Sequence, residues 1–259
     1  MMWQPVSIFS ILAAALVPMT AVAQQPLARF PLRRFEVIRA DSDGLRRLPP
    51  SVRAIFVDPV PDGRPVESLD AAAKNVGFVP RLPKSTMAPE VFVIDPVSEE
   101  AKIQVADLNG ALSQAGVRGV AVPPLWDGAV LRLQQNAGVL ADYGDFFIAQ
   151  APPLTLTTPE RFPLEQFLEV LFRIVGINAP QARSLRDKFA AAPASFFPIP
   201  SRYEMDIREV PIASGSGLLL QNADKSGELM LMWSSPDRTY VLSGLMSEAQ
   251  AIATANSLQ

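Results

Sequence analysis

Histidine and cysteine are both absent from the 259 residues, so any chemistry must come from carboxylates, hydroxyls, amines and aromatic rings. Without imidazole, a serine nucleophile has no His base, a metal has no imidazole ligand and no histidine switches charge near neutral pH. Without thiols there are no disulfides, zinc knuckles or redox pairs. A lysine could replace the missing base in a Ser-x-x-Lys dyad. Three positions before the five lysines stand Ala71, Arg81, Glu99, Leu185 and Asn222, so none qualifies. Aromatic side chains are the remaining candidates, because they anchor recognition surfaces. Trp126, between Pro123-Pro124 and Asp127-Gly128, is expected at an exposed loop tip, and Phe146 follows a strand break at Gly144. Phe167 and Phe172 lie on the apolar face of a helix that could wall a pocket. These four are the candidate binding residues. Trp233 and Tyr240 are read instead as a cross-strand pair inside the core.

The remaining short motifs read as turns. Lys225-Ser226-Gly227 is similar to the K-[ST]-G element of penicillin-binding proteins but has no nucleophile motif beside it. Gly215-Ser216-Gly217 is too short for a dinucleotide fingerprint and reads as a hairpin bend. Asp41-Ser42-Asp43-Gly44 opens like a calcium loop but lacks the third acidic position and the distal Glu, so a turn is expected. Paired carboxylates of the glycosidase kind meet in space rather than in sequence, which keeps a carboxylate-based hydrolase as the least favoured function. No catalytic residue, cofactor or metal ligand is assigned.

Composition narrows the setting. Lys plus Arg number 23 against 26 Asp plus Glu, a net charge of -3 with a pI near 5.2, which argues against nucleic-acid binding. A 49% hydrophobic share suffices for a buried core. The 25 prolines point to short elements joined by turns. Residues 1–23 carry no charge and include the apolar run 6–17 (VSIFSILAAALV), then Pro18 and Ala21-Val22-Ala23. A run of twelve residues, apolar but for Ser7 and Ser10, suits a signal peptide and falls short of the ~20 that span a bilayer. The expectation is cleavage before Gln24 and a periplasmic or secreted location. The alternative is an uncleaved anchor, which alone would bring membrane contact; the n-region has no Lys or Arg, and Arg29, Arg33 and Arg34 follow the run.

The elements that must position the candidates follow from local patterns. Residues 24–65 form a Pro/Arg-rich segment with edge strands at 35–40 and 52–58, and 66–259 form an α+β domain with possible halves 66–157 and 158–259. Ser68 caps a helix over 69–76 that Gly77 ends. Strands at 91–95 and 101–105 fit a hairpin, and Asp107 caps a helix whose Leu108, Ala111, Leu112 and Ala115 share a face. Strands are expected at 117–122, 129–134 and 139–150. After Pro163, Leu164, Phe167, Leu168, Leu171, Phe172 and Val175 make an apolar helical stripe, widened by Val170 and Ile174. Asn178 starts the next helix, carrying Leu185 and Phe189. These two helices either cover a sheet or line a cavity for a hydrophobic ligand. Strands at 203–210, with one wet face, 218–221, 229–233 and 239–243 make a four-stranded meander. A Ser247/Gln250 capping box starts a terminal helix over 248–258 with Ile252 as its main knob. The fold class is α+β: antiparallel β-sheets with helices packed on them, closed by the meander and that helix.

Two stretches carry a resemblance. Residues 66–83 (VESLDAAAKNVGFVPRLP) and 233–258 (WSSPDRTYVLSGLMSEAQAIATANSL) resemble the opening and close of a domain of unknown function. That domain lies at the extracytoplasmic C-terminal end of bacterial anti-sigma-factor-like membrane proteins. The similarity covers 44 of 259 residues and implies an outer sensory or regulatory module with no assigned chemistry. Together these readings point to an exported, non-enzymatic envelope protein that binds another envelope protein or regulates. The alternative is a carrier or sensor of a hydrophobic ligand, with the helix after Pro163 as one wall of its pocket.

Overall fold

The computed structural model describes residues 27–53, 63–84, 87–223 and 227–258. The expected export segment, most of the strand expected over 52–58 and the Lys225-Ser226 pair lie outside the described residues. In chain order the elements are β1 (Leu27–Leu32), β2 (Arg34–Ala40), α1 (Ser42–Arg47), α2 (Pro50–Arg53), β3 (Gly63–Val66), α3 (Leu69–Val76), β4 (Glu90–Ile94) and β5 (Val97–Lys102). Then come α4 (Val105–Gln114), a 3-10 turn (Pro124–Trp126), β6 (Val130–Gln135), β7 (Gly138–Asp142), β8 (Phe146–Ala151) and β9 (Leu154–Pro159). The chain continues through α5 (Leu164–Ile174), α6 (Ala179–Ala191), β10 (Ala194–Pro200), β11 (Met205–Ile212), β12 (Gly215–Asn222), β13 (Leu229–Ser234), β14 (Thr239–Gly244) and α7 (Glu248–Asn256). No helix among the described residues is long and apolar enough to cross a membrane.

Three bent strands organise the molecule. β4 and β5, β6 and β7, and β8 and β9 are successive halves separated only by Asp95-Pro96, Asn136-Ala137 and Pro152-Pro153. Pairing continues through each break without a slip: Ile94 opposes Gly138 and Val97 opposes Gln135, while Val139 opposes Gln150 and Gln134 opposes Thr155. Proline cannot donate to a ladder, so the ladder opens at the breaks and the strands turn a corner from one sheet into the next. The expected hairpin between 91–95 and 101–105 is therefore replaced by one strand bent at Pro96. One set of halves lies in an eight-stranded sheet, β11-β12-β13-β14-β8-β7-β4-β3, and the other in a four-stranded sheet, β1-β9-β6-β5. Both sheets are antiparallel. β2 and β10 pair parallel as a separate ribbon.

The large sheet is covered on both faces. On one, α3 sets Ala72 against Val91, Val93 and Val139, and α7 sets Ala251 and Ala255 against Leu219, Leu231, Trp233 and Leu242. The buried alanines make the close approach of α7, and Ile252 is only half-buried. On the other face the ribbon packs Phe35, Val37, Phe197 and Ile199 against Ala149, Leu220, Met232 and Val241. The wet face expected of β11 is correspondingly partial. Arg208 pairs with Asp206 and with Glu248 of α7, while Val210 and Ile212 on the same face are buried. The reverse side of the ribbon, with Ile38 and Phe196, joins the core formed by α1, α2, α4, α5, α6 and the small sheet. Residues 27–53 are thus built into the cores, with Leu48 and Val52 also buried.

Local chemistry explains the helix ends. Ser68, Asn178 and Ser247 accept from Ala71, Gln181 and Gln250 N–H, and Gly77 ends α3 at φ 76°. α4 begins three residues earlier than expected, its Val105 N–H bonded to Asp127 Oδ1. No strand forms over 117–122, where Gly116 and Gly119 both hold positive φ. The turn expected at 41–44 is the start of α1, capped by Asp41 through Asp43 N–H. That helix presses on the end of α5, where Asp41 N–H donates to Val175 O at 3.1 Å. A Cβ added to Gly44 would sit 2.6 Å from Val175 O, whereas one on the exposed Gly110 of α4 would meet nothing within 4 Å. Gly44→Ala should therefore lower unfolding free energy by about 1–3 kcal/mol in urea titrations. Gly110→Ala should raise it by about 0.5–1 kcal/mol. Equal effects from the two would contradict the α1–α5 contact.

Candidate functional site

The four aromatic candidates do not converge on a surface. Trp126 is 1% exposed, its ring 5.7 Å from Phe162 and 6.0 Å from Phe167, while the neighbouring Leu125 is 78% exposed. The loop-tip expectation fails because the 3-10 turn begun at Pro124 rotates the indole inward, toward α5. Phe167 and Phe172 are fully buried, and Phe172 meets the edge of Phe196 at 4.8 Å. Phe146 belongs to a different core, half-buried beneath Tyr143 in a stack of 4.7 Å, and burial pushes the Tyr143 phenol up.

A polar network, unexpected from the sequence, lies on the large sheet's α3/α7 face. The chain leaving α3 continues without helix or strand through residues 77–84, a strap laid over β8 and β14. Gln150, 1% exposed in β8, treats the strap as an added strand. Its Oε1 accepts from Arg81 N–H at 2.9 Å and its Nε2 donates to Arg81 O at 2.9 Å. One side-chain amide thereby satisfies both backbone groups of Arg81. Gln150 Oε1 also accepts from Arg238 Nη1 at 3.0 Å. The buried Arg238 donates from the same nitrogen to Val79 O at 2.8 Å and lies over the Phe78 ring at 4.3 Å. Arg81 reaches from the strap to Tyr240 Oη at 2.7 Å and to Asp237 at 3.0 Å, and Tyr240 is stacked on Trp233 at 5.0 Å. At the far end, Lys84 N–H meets Ser257 Oγ at 3.4 Å, just past α7.

The electrostatics fit a closed latch. The Ser235 hydroxyl, donating at 2.7 Å, holds the Asp237 carboxyl below the usual range, with Arg81 adding to this and partial burial opposing it. The Tyr240 hydroxyl and Asp237 in turn raise Arg81. Apart from Gln150, the network's members come from 77–84 and 233–257, so it ties the segment after α3 to the end of the chain. A sign of it was present in the lone Gln150 of the apolar run FFIAQA, which sits where an alternating strand would bury it. Among the described residues no three acidic side chains gather closely enough to hold a metal ion.

Gln150→Leu leaves Arg238 and the strap backbone short of partners, and should cost about 2–4 kcal/mol of stability in urea unfolding. It should also open the strap to proteolysis. Because the folded Asp237 pKa lies below its unfolded value, its contribution is complete above about pH 4 and is lost as pH falls through the folded value. The stability advantage of the wild type over Asp237→Asn should accordingly be constant near neutrality and shrink under acid. No known protein family, curated protein or solved structure matches this chain.

Proposed function

We propose that this chain is an exported, non-enzymatic envelope protein that binds another envelope protein and offers the strap 77–84 as its contact. One observation carries the reading: Val79, midway along the strap, is 75% exposed while its own carbonyl is held by the buried Arg238. An apolar side chain left in water on a loop fastened by backbone, amide and guanidinium bonds has already lost the freedom that association would otherwise take away. The strap's junction with 233–257 joins the stretches similar to the anti-sigma-factor-like outer domain, which supports a regulatory module. The uncharged segment 1–23 fits export with cleavage before Gln24. If uncleaved, the same segment anchors the protein. The non-enzymatic part rests on the lack of imidazole and thiol groups.

A photo-cross-linking residue at position 79, installed in the native host, should capture one discrete envelope protein, and the same group at the exposed position 125 should not. Val79→Asp should weaken that association at least about tenfold with stability changed by no more than about 0.5 kcal/mol, as expected of an exposed position. Equal capture from both positions, or an intact 1–23 segment in cytoplasmic fractions, would overturn the reading.

A further inference from the structure

A second site lies on the opposite face of the same strands and does not rest on the partner-binding reading. Where the β2–β10 ribbon covers β8, β13 and β14, the layers fail to close and a half-open cavity of about 110 Å³ remains. Small side chains make the gap. Ala149 and Ala151 flank Gln150 along β8, so their methyl groups face the ribbon while the amide faces the strap. The ribbon contributes Ser195. Phe35, Phe197 and Met232 wall the space around them.

Protein interiors are ordinarily packed to crystal density, and next door Phe167, Leu171 and Phe172 of α5 are fully buried. Aromatic and thioether side chains line the gap. No lining residue is charged. An anion would find no cation there, and a cation no carboxylate, so a charged end of any ligand must stay outside in water. Size restricts the occupant further. An enclosed apolar cavity of ~150 Å³ holds benzene, and this one, smaller but half-open, accepts no more than one ring partly inserted or the last few carbons of a chain, rather than a whole lipid. We propose that the crevice between the ribbon and the large sheet is a binding site for a small uncharged apolar group, either a ring or an alkyl end.

Benzyl alcohol and 1-hexanol, titrated separately into the purified protein, separate the two sources. Either should raise Tm saturably with one site per chain, because a ligand that binds only the folded state stabilises it. The methyl resonance of Met232 should shift along the same isotherm. A response to benzyl alcohol alone identifies a ring as the occupant, and a response to 1-hexanol alone identifies a chain end. Ala149→Leu fills the gap, and should weaken binding at least about tenfold while unliganded Tm is kept or raised. Ala151→Val provides the same reading if Ala149→Leu does not fold. The proposal is overturned if neither alcohol gives a saturable shift up to its solubility limit, or if filled and wild-type proteins bind alike. Loss of cross-linking at position 79 would leave these titrations unchanged.

Discussion

Strand alternation, carried without a slip through three corners, is the constraint on which both faces of the molecule depend. Side chains in a strand repeat every two residues, so a shift of one would turn Gln150 toward the ribbon and Ala149 and Ala151 toward the strap. The prolines at 96, 152 and 153 interrupt hydrogen bonding at the corners. The pairings on either side of those corners nevertheless belong to one register, so the order set in the small sheet is transmitted into the large one. Tyr240 opposite Gln150, and Val241 opposite Ala149, extend the same parity into the meander. The polar latch and the apolar crevice are therefore two readings of a single alternating run.

Burying Arg238 is the expensive step on the strap side. A guanidinium removed from water is tolerated only when its donors are met and an opposing charge lies close. Gln150, the Val79 carbonyl, the face of Phe78 and the neighbouring Asp237 together supply this. Three of these four depend on the strap or on the strand beneath it, so the segment cannot lift without exposing an unpaired charge to an apolar surface. A loop with only eight residues and no regular hydrogen bonding of its own is thereby held like a strand.

Local signals were legible in the residues and non-local ones were not. The caps at Ser68, Asn178 and Ser247, the stop at Gly77 and the stripe of α5 each depend on neighbours within a few positions, and all are present. The meander was equally readable, because short connections join strands that pair in sequence order. β10 escaped notice: its segment ASFFPIP carries two prolines and no alternation. Prolines are tolerated because the ribbon has only two strands and leaves half of the ladder positions without a partner. Alternation is missing because the ribbon is buried on both sides, by the large sheet and by α5 and α6. The strap was invisible for a similar reason, since its partners lie about 70 and 160 residues away along the chain.

The α5 stripe also shows why size in a sequence is a poor guide to cavities. Val170 and Ile174 broaden its apolar face beyond one sheet contact, which favours a pocket if the helix lies at a surface. Instead α1, α4 and α6 pack against it along with the small sheet, and a helix that is apolar around most of its circumference is a central one. Large apolar residues therefore mark space that is filled, because each brings the volume that fills it. The gap beneath the ribbon is written in the opposite alphabet, by Ala149, Ala151 and Ser195, whose side chains are too short to span two layers set apart by the phenylalanines around them. A ligand pocket in such a fold is best sought where small residues on one layer meet the rim of large ones on the next.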